Sequence, residues 1–123
     1  QMCIRDSHKV DNIISTIDYN QKQIDGPTDN VISLGNVKAK WEAFGWHVFE
    51  MDGNSMVEVL STLKEAKAAA GKGKPVMIVM TTIMGKGVDF MEDDHNWHGV
   101  APNDEQAKIA LEQLEETLGD YAA

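Results

Sequence analysis

A single cysteine, no long apolar run and a shortage of basic side chains each remove a class of function. Cys3 alone cannot close an internal disulfide, which fits a reducing compartment and a cytoplasmic protein. No apolar run approaches the length of a membrane span and no signal peptide is visible, so no membrane role is expected. Eleven Lys and Arg stand against 20 Asp and Glu, for a net charge of −9. A chain without clustered cations offers no surface to nucleic acid or anionic lipid. Internal repeats are absent, and the one low-complexity patch is the Ala/Gly/Lys stretch at 66–74. The 123 residues allow one domain at most, with an incompletely buried core.

The opening residues, Gln1-Met2-Cys3-Ile4-Arg5-Asp6-Ser7, read as a translated sequencing adapter. On that reading Cys3 is foreign, and the biological sequence starts near His8, in mid-protein. Residues 8–123 are then part of a domain whose beginning is missing. Removing Arg5 and Asp6 together leaves the net charge unchanged.

Residues 12–18 predict a strand, and 19–33 a loop punctuated by Asp25-Gly26-Pro27. Val37, Trp41 and Phe44 fall at helical spacing, and Gly45 stops that helix. Residues 46–51 predict a second strand, with Trp41 and Trp46 in the core and His47 a satisfied core or edge residue. Ser55 and Glu58 have the spacing of a capping box. The helix behind them carries an apolar stripe of Met56, Leu60, Leu63, the Lys67 stem and Ala70. After a turn at 71–75, residues 76–80 are unbroken apolar sequence, as in a central parallel strand covered on both faces. A loop over 81–102 leads to a last helix capped by Asn103 and Gln106, apolar at Ala107, Ala110, Leu111, Leu114 and Leu118, and closed by Gly119. Strands alternating with helices predict an α/β fold with a parallel sheet flanked by helices.

Two polar loops follow strands, so both belong at the sheet edge where open α/β folds bind ligands. The first holds Asp18, Asn20, Lys22, Ile24 and Asp25. An Asn amide oxygen and a Lys22 backbone carbonyl suit Mg2+ or Ca2+ rather than zinc. Asn20 equally suits the start of a turn. The second loop runs from Gly85-Lys86-Gly87 through Glu92-Asp93-Asp94 to His95-Asn96-Trp97-His98-Gly99. His95 and His98 have no cysteine and no clear third ligand beside them for zinc. Gly85-Lys86-Gly87 could take a phosphate but lacks full phosphate-loop spacing. His98, followed by a glycine, can donate to phosphate or carry protons near neutral pH; a solvent-facing histidine is the alternative.

Seven segments in order carry a resemblance: Asp11-Asn12-Ile13-Ile14, Asp18-Tyr19-Asn20, Gln23-Ile24-Asp25-Gly26, Ala43-Phe44-Gly45-Trp46, Gly73-Lys74-Pro75, Gly85-Lys86-Gly87 and His95-Asn96-Trp97-His98-Gly99. From about His8 onward the chain resembles the C-terminal portion of the diphosphate-binding domain of transketolases. The resemblance implies a thiamine-diphosphate-binding fold, incomplete at the N-terminus, with thiamine diphosphate and Mg2+ (or Ca2+) as cofactors. Asn20 corresponds to the metal-ligating Asn, with the Lys22 carbonyl as second ligand. Ile24 and Met84 correspond to apolar cofactor contacts, and His98 to the active-site histidine near diphosphate and substrate. The family's Gly-Asp-Gly, the other half of the metal site, is not in this chain.

The implied activity is transfer of a two-carbon ketol unit from a ketose phosphate to an aldose phosphate, in the pentose phosphate pathway. The cofactor does the bond making and breaking. The early stop resembles the N-terminal subunit of a split transketolase. Its partner is then a C-terminal subunit with the pyrimidine-binding domain, in a dimer of such pairs, and Trp97 and the acidic loop are candidates for the contact. Alone, the 123 residues are expected to be inert. Alternatives are another thiamine-diphosphate enzyme, such as 1-deoxy-D-xylulose-5-phosphate synthase, or a non-catalytic subunit with the same fold.

Overall fold

Val76–Thr81 forms the middle of the sheet, and everything else is arranged around it. The computed structural model describes residues 7–114. In chain order its strands are β1 (Ile14–Tyr19), β2 (Lys22–Gln23), β3 (Gly26–Pro27), β4 (His47–Asp52) and β5 (Val76–Thr81). Its helices are α1 (Thr28–Val31), α2 (Val37–Ala43), α3 (Met56–Ala69) and α4 (Asp104–Gln113), with a 3-10 turn at His95–Trp97. The main sheet has the order β1-β5-β4, and both pairings are parallel.

The register fixes where the loops emerge. Ile14 and His47 both sit beside Val76, while Tyr19 and Asp52 both sit beside Thr81. Three strands of equal length, unstaggered and parallel, end level, so all three following loops leave from one edge.

The unbroken apolar run of β5 is explained by cover on both faces. Met77 and Val79 join Trp46 and Val48 in one cluster, with Ile17, Tyr19, Val37 and Trp41 against it. Val76 and Ile78 face the other way into a cluster with Met51 and Ala66, flanked by Phe49, Val59, Ala69, Ala70 and Met80. Helix α2 therefore covers one face and α3 the other. Each fully buried Val or Ile contributes about 1.5–3 kcal/mol relative to exposure. Trp41 and Trp46 are core as expected, meeting edge to face with centroids 5.1 Å apart. His47 is an exposed edge residue, stacked on Phe49 at 4.7 Å.

Several expectations need correcting. Residues 19–33 are not plain loop, because β2 and β3 pair as a small antiparallel hairpin that α1 follows. The hairpin is closed by the Thr28 N–H donating to the Gln21 carbonyl at 2.9 Å. The capping box at α3 is only half made. The Ser55 hydroxyl accepts the Glu58 N–H, but the Glu58 carboxylate takes the Asp52 N–H at 2.8 Å. The N–H that a full box requires, that of Ser55, already donates to the Asp52 carbonyl. The inward face of α3 is Val59, Ala66, Ala69 and Ala70, whereas Met56, Leu60 and Leu63 of the predicted stripe are exposed. Alanines allow the helix to lie close on β5, and Ala66 is fully buried there.

Helix α4 starts as predicted, with the reciprocal Asn103–Gln106 capping box complete. Ala110 is buried and Ala107 half-buried, but Leu111 points to solvent. Leu118 and Gly119 lie outside the described residues, as does Cys3 with the rest of residues 1–6. No described helix is long and apolar enough to cross a membrane.

Candidate functional site

The first loop turns on Asn20. Its Oδ1 accepts the Lys22 N–H at 2.9 Å, and Gln21 between them takes the left-handed conformation, φ 58°. This is a side-chain-closed turn of the kind Asn favours. The amide oxygen has two lone pairs, so one acceptor site remains for a cation. Across the hairpin Lys22 lies opposite Pro27, one step from the Gln21–Thr28 pair that carries the ladder hydrogen bond, so the Lys22 carbonyl points out of the ladder. Two neutral oxygens, Asn20 Oδ1 and Lys22 O, thus fit part of a hard-cation shell. Among the described residues no cluster of three His, Cys, Asp or Glu stands ready to hold a metal. A cation held by these two oxygens would need further ligands to complete its shell. Ile24, at the hairpin tip, is 69% exposed.

The second loop is folded by its own polar contacts. Glu92 accepts from Lys86 Nζ at 2.9 Å and from the Gly87 N–H at 3.3 Å. The Lys86 ammonium, followed by the Gly87 N–H, holds the Glu92 carboxyl below its ordinary value. Gly85-Lys86-Gly87 therefore already grips an internal carboxylate where the sequence suggested a phosphate. At Gly85, φ is 67° and a Cβ would lie 2.5 Å from the Met91 carbonyl oxygen, so only glycine fits. Asp94 Oδ1 caps the 3-10 turn by accepting the Asn96 N–H at 3.0 Å. That backbone N–H, more than the Asn96 amide, keeps the Asp94 carboxyl below its usual range. Trp97 packs inward against Phe90, centroids 5.3 Å apart, and its Nε1–H donates to the Phe90 carbonyl at 2.7 Å.

One ion pair joins the loops. Lys22 Nζ lies 3.0 Å from Asp93 Oδ1, with the Lys22 side chain 15% exposed and that of Asp93 64%. Asp93 has φ 59°, and its N–H donates to the Met84 carbonyl at 2.8 Å. Asn20, Lys22 and Met84 are thereby gathered at the C-terminal edge of the sheet. His98 is exposed and, among the described residues, makes no side-chain hydrogen bond.

Sequence reasoning gave no role to Thr82 or Asn54, and gave Asp93 one only as part of the acidic loop offered as a partner contact. The Thr82 hydroxyl donates to Asp18, and Asn54 Oδ1 accepts the Ile83 N–H at 2.8 Å. The partners lie far apart in the chain, so no local pattern marks them. A cavity of about 440 Å3 at this edge is lined by Glu50, Met51, Asp52, Glu58, Thr81 and Ile83. A larger one, about 570 Å3, sits at the opposite edge beside His47, Lys72 and Lys74.

Comparison with known proteins gives the chain a family. Residues 3–119 match the family model described as transketolase, thiamine diphosphate binding domain. The chain is 41% identical over 107 residues to a 6-deoxy-6-sulfo-D-fructose transketolase subunit of a Clostridium species, covering 87% of this chain and 38% of that protein. It is 36% identical over 111 residues to an apulose-4-phosphate transketolase subunit of Phocaeicola vulgatus, covering 90% of this chain and 39% of that protein. The crystal structure of Campylobacter jejuni transketolase superposes with a TM-score of 0.79 at 32% identity, over 91% of this chain and 17% of that one. The chain thus spans well under half the length of these relatives.

Proposed function

This chain belongs to the transketolase family, as part of its thiamine-diphosphate-binding domain, and we propose that it serves two-carbon ketol transfer from a ketose phosphate to an aldose phosphate. Residues 8–123 are read as a portion of the diphosphate-binding domain in a cytoplasmic enzyme of the pentose phosphate pathway. The observation that carries this reading is the meeting of the two loops at Lys22 and Asp93, 3.0 Å apart, on the ligand-binding edge of a parallel sheet.

The residues present fit the cofactors. Asn20 Oδ1 and the Lys22 carbonyl would hold Mg2+ (or Ca2+), and the diphosphate would complete its shell together with residues beyond this chain. Ile24, exposed at the hairpin tip, offers an apolar surface for cofactor to cover, and half-buried Met84 offers a smaller one. His98, exposed beside Gly99, is free to donate to a phosphate oxygen or to move a proton. When bound, thiamine diphosphate supplies the carbon nucleophile that carries the two-carbon unit.

Two relatives are named as transketolase subunits. We infer a second polypeptide bearing the pyrimidine-binding domain, an active site shared with it, and a dimer of such pairs. The names of those relatives also point to anionic sugars as the substrate class.

Calorimetry on the native-length protein with its partner tests the reading. Mg2+-dependent binding of thiamine diphosphate, with ketol transfer between sugar phosphates, is the expected result. Absence of cofactor binding overturns it in favour of a non-catalytic subunit. The 123-residue chain alone is expected to bring about no transfer.

A further inference from the structure

We propose that Asp93 is a positioning residue that, through Lys22, locks the loop carrying Met84 and His98 onto the metal-side loop. The inference rests on the cofactor reading given above but adds a coupling between its two halves. Lys22 has two separable parts. Its backbone lies in the turn closed by Asn20, where its carbonyl is available to a cation. Its side chain leaves that turn and, largely buried, ends on Asp93 at 3.0 Å.

Asp93 is unusual in its own loop. It holds φ 59°, a conformation non-glycine residues adopt at a cost. Two contacts maintain it: the N–H to the Met84 carbonyl at 2.8 Å and the carboxylate to Lys22. The neighbouring acids are otherwise engaged, Glu92 with Lys86 and Gly87, and Asp94 with Asn96. Of the run Glu92-Asp93-Asp94, Asp93 makes the ion pair to the first loop, and Asp94 feels Lys22 only as the weakest of its influences. A local acidic cluster thus resolves into two loop-internal contacts and one cross-loop latch. Because the latch grips residue 22 itself, a shift of the metal-side turn is transmitted to Met84 through one ion pair and one hydrogen bond.

The test uses K22M and D93N in the native-length protein assembled with its partner. Lys22→Met keeps the apolar stem and the backbone carbonyl but removes the charge. Asp93→Asn keeps the shape and tolerates positive φ. Amide hydrogen exchange across residues 84–98 without cofactor is the first readout, and Mg2+-dependent thiamine diphosphate affinity the second. Each single variant is expected to speed exchange in that loop about three- to fivefold, the scale of a partly exposed ion pair. Cofactor affinity should fall by a similar factor, and the double variant should be no worse than either single one. Unchanged exchange in both variants overturns the latch even if the wild type binds cofactor normally. Faster exchange with no cofactor binding by the wild type leaves the latch standing and overturns the functional reading instead. Faster exchange with unchanged cofactor affinity overturns the positioning role.

Discussion

The Thr82 hydroxyl, one residue past the central strand, donates to the Asp18 carboxylate near the end of β1. Above the same spot, a Cβ on Gly53 would lie 2.6 Å from the Thr82 methyl. The tips of β1, β4 and β5 are thus drawn together by a hydroxyl with a hydrogen bond on one side and a glycine on the other. Asn54 adds the Ile83 N–H, so the second loop leaves the sheet in a fixed direction toward Lys22.

Replacing Asn20 by Ala removes both a turn acceptor and the proposed metal oxygen. Loss of the Lys22 N–H partner should cost about 1 kcal/mol of stability. Thiamine diphosphate affinity in Mg2+ should fall by about tenfold or more, by analogy with the loss of groups around bound metals. Titration calorimetry of the native-length protein, beside a urea melt, separates the two effects. A destabilised protein with unchanged cofactor affinity means that Asn20 only shapes the turn.

Ile78, fully buried on the α3 face, is the most demanding core position. Ile78→Ala should cost about 2–5 kcal/mol, because the cavity opens between a central strand and an alanine-lined helix that already lies close. Ile78→Val should cost about 0.5–1.5 kcal/mol. Urea unfolding of both variants measures the series, and equal costs would show that the site collapses freely.

Acid should loosen the turn at 85–92 before it affects the sheet. The Glu92 carboxyl sits below its ordinary value of 4.5 because Lys86 and the Gly87 N–H hold its charged form. A lowered folded value means the contribution is present above the unfolded value and is lost as pH falls through the folded one. Amide exchange at Gly87, normalised for intrinsic rate, should therefore rise below about pH 4.5 in the native protein. Glu92→Gln should show the fast exchange at every pH, and a pH step retained in that variant would assign it to another group.

Gly85→Ala places a methyl against the Met91 carbonyl in a left-handed conformation. The loop must rebuild, at about 1–3 kcal/mol for the strained backbone alone. Met84 should lose its contact with the Asp93 N–H, visible as an amide shift of Asp93 by NMR. An unmoved Asp93 resonance would show that the turn absorbs the methyl elsewhere.

The central strand was legible because cover on both faces writes itself as continuous apolar sequence. The last helix was legible at its start, where Asn103 and Gln106 cap each other locally. The inward face of α3 was misread for a physical reason. Helical spacing favoured the larger side chains Met56, Leu60 and Leu63, whereas close packing on β5 selected alanines. The hairpin at 22–27 has no local signature because two-residue strands carry no period, and the turn that leads into it depends on one side-chain acceptor, Asn20. Asn20, Lys22 and Met84 lie at one edge of the sheet, as residues of loops that follow parallel strands must. The pairing of Lys22 with Asp93 had no local signature beyond opposite charge.

The order β1-β5-β4 also constrains how the chain acquires its shape during synthesis. Among the described residues, strands β1 and β4 both precede β5 in the chain, neither pairs with the other, and each is paired with β5. Until residue 81 has left the ribosome, both earlier strands lack this template, and Trp46 and Val48 have no β5 side chains to pack on. Long-range parallel pairing of this kind is slow and leaves apolar segments exposed meanwhile. A nascent chain halted just short of Val76 should therefore depend more on chaperones than one halted just after Thr81, in which both ladders can form.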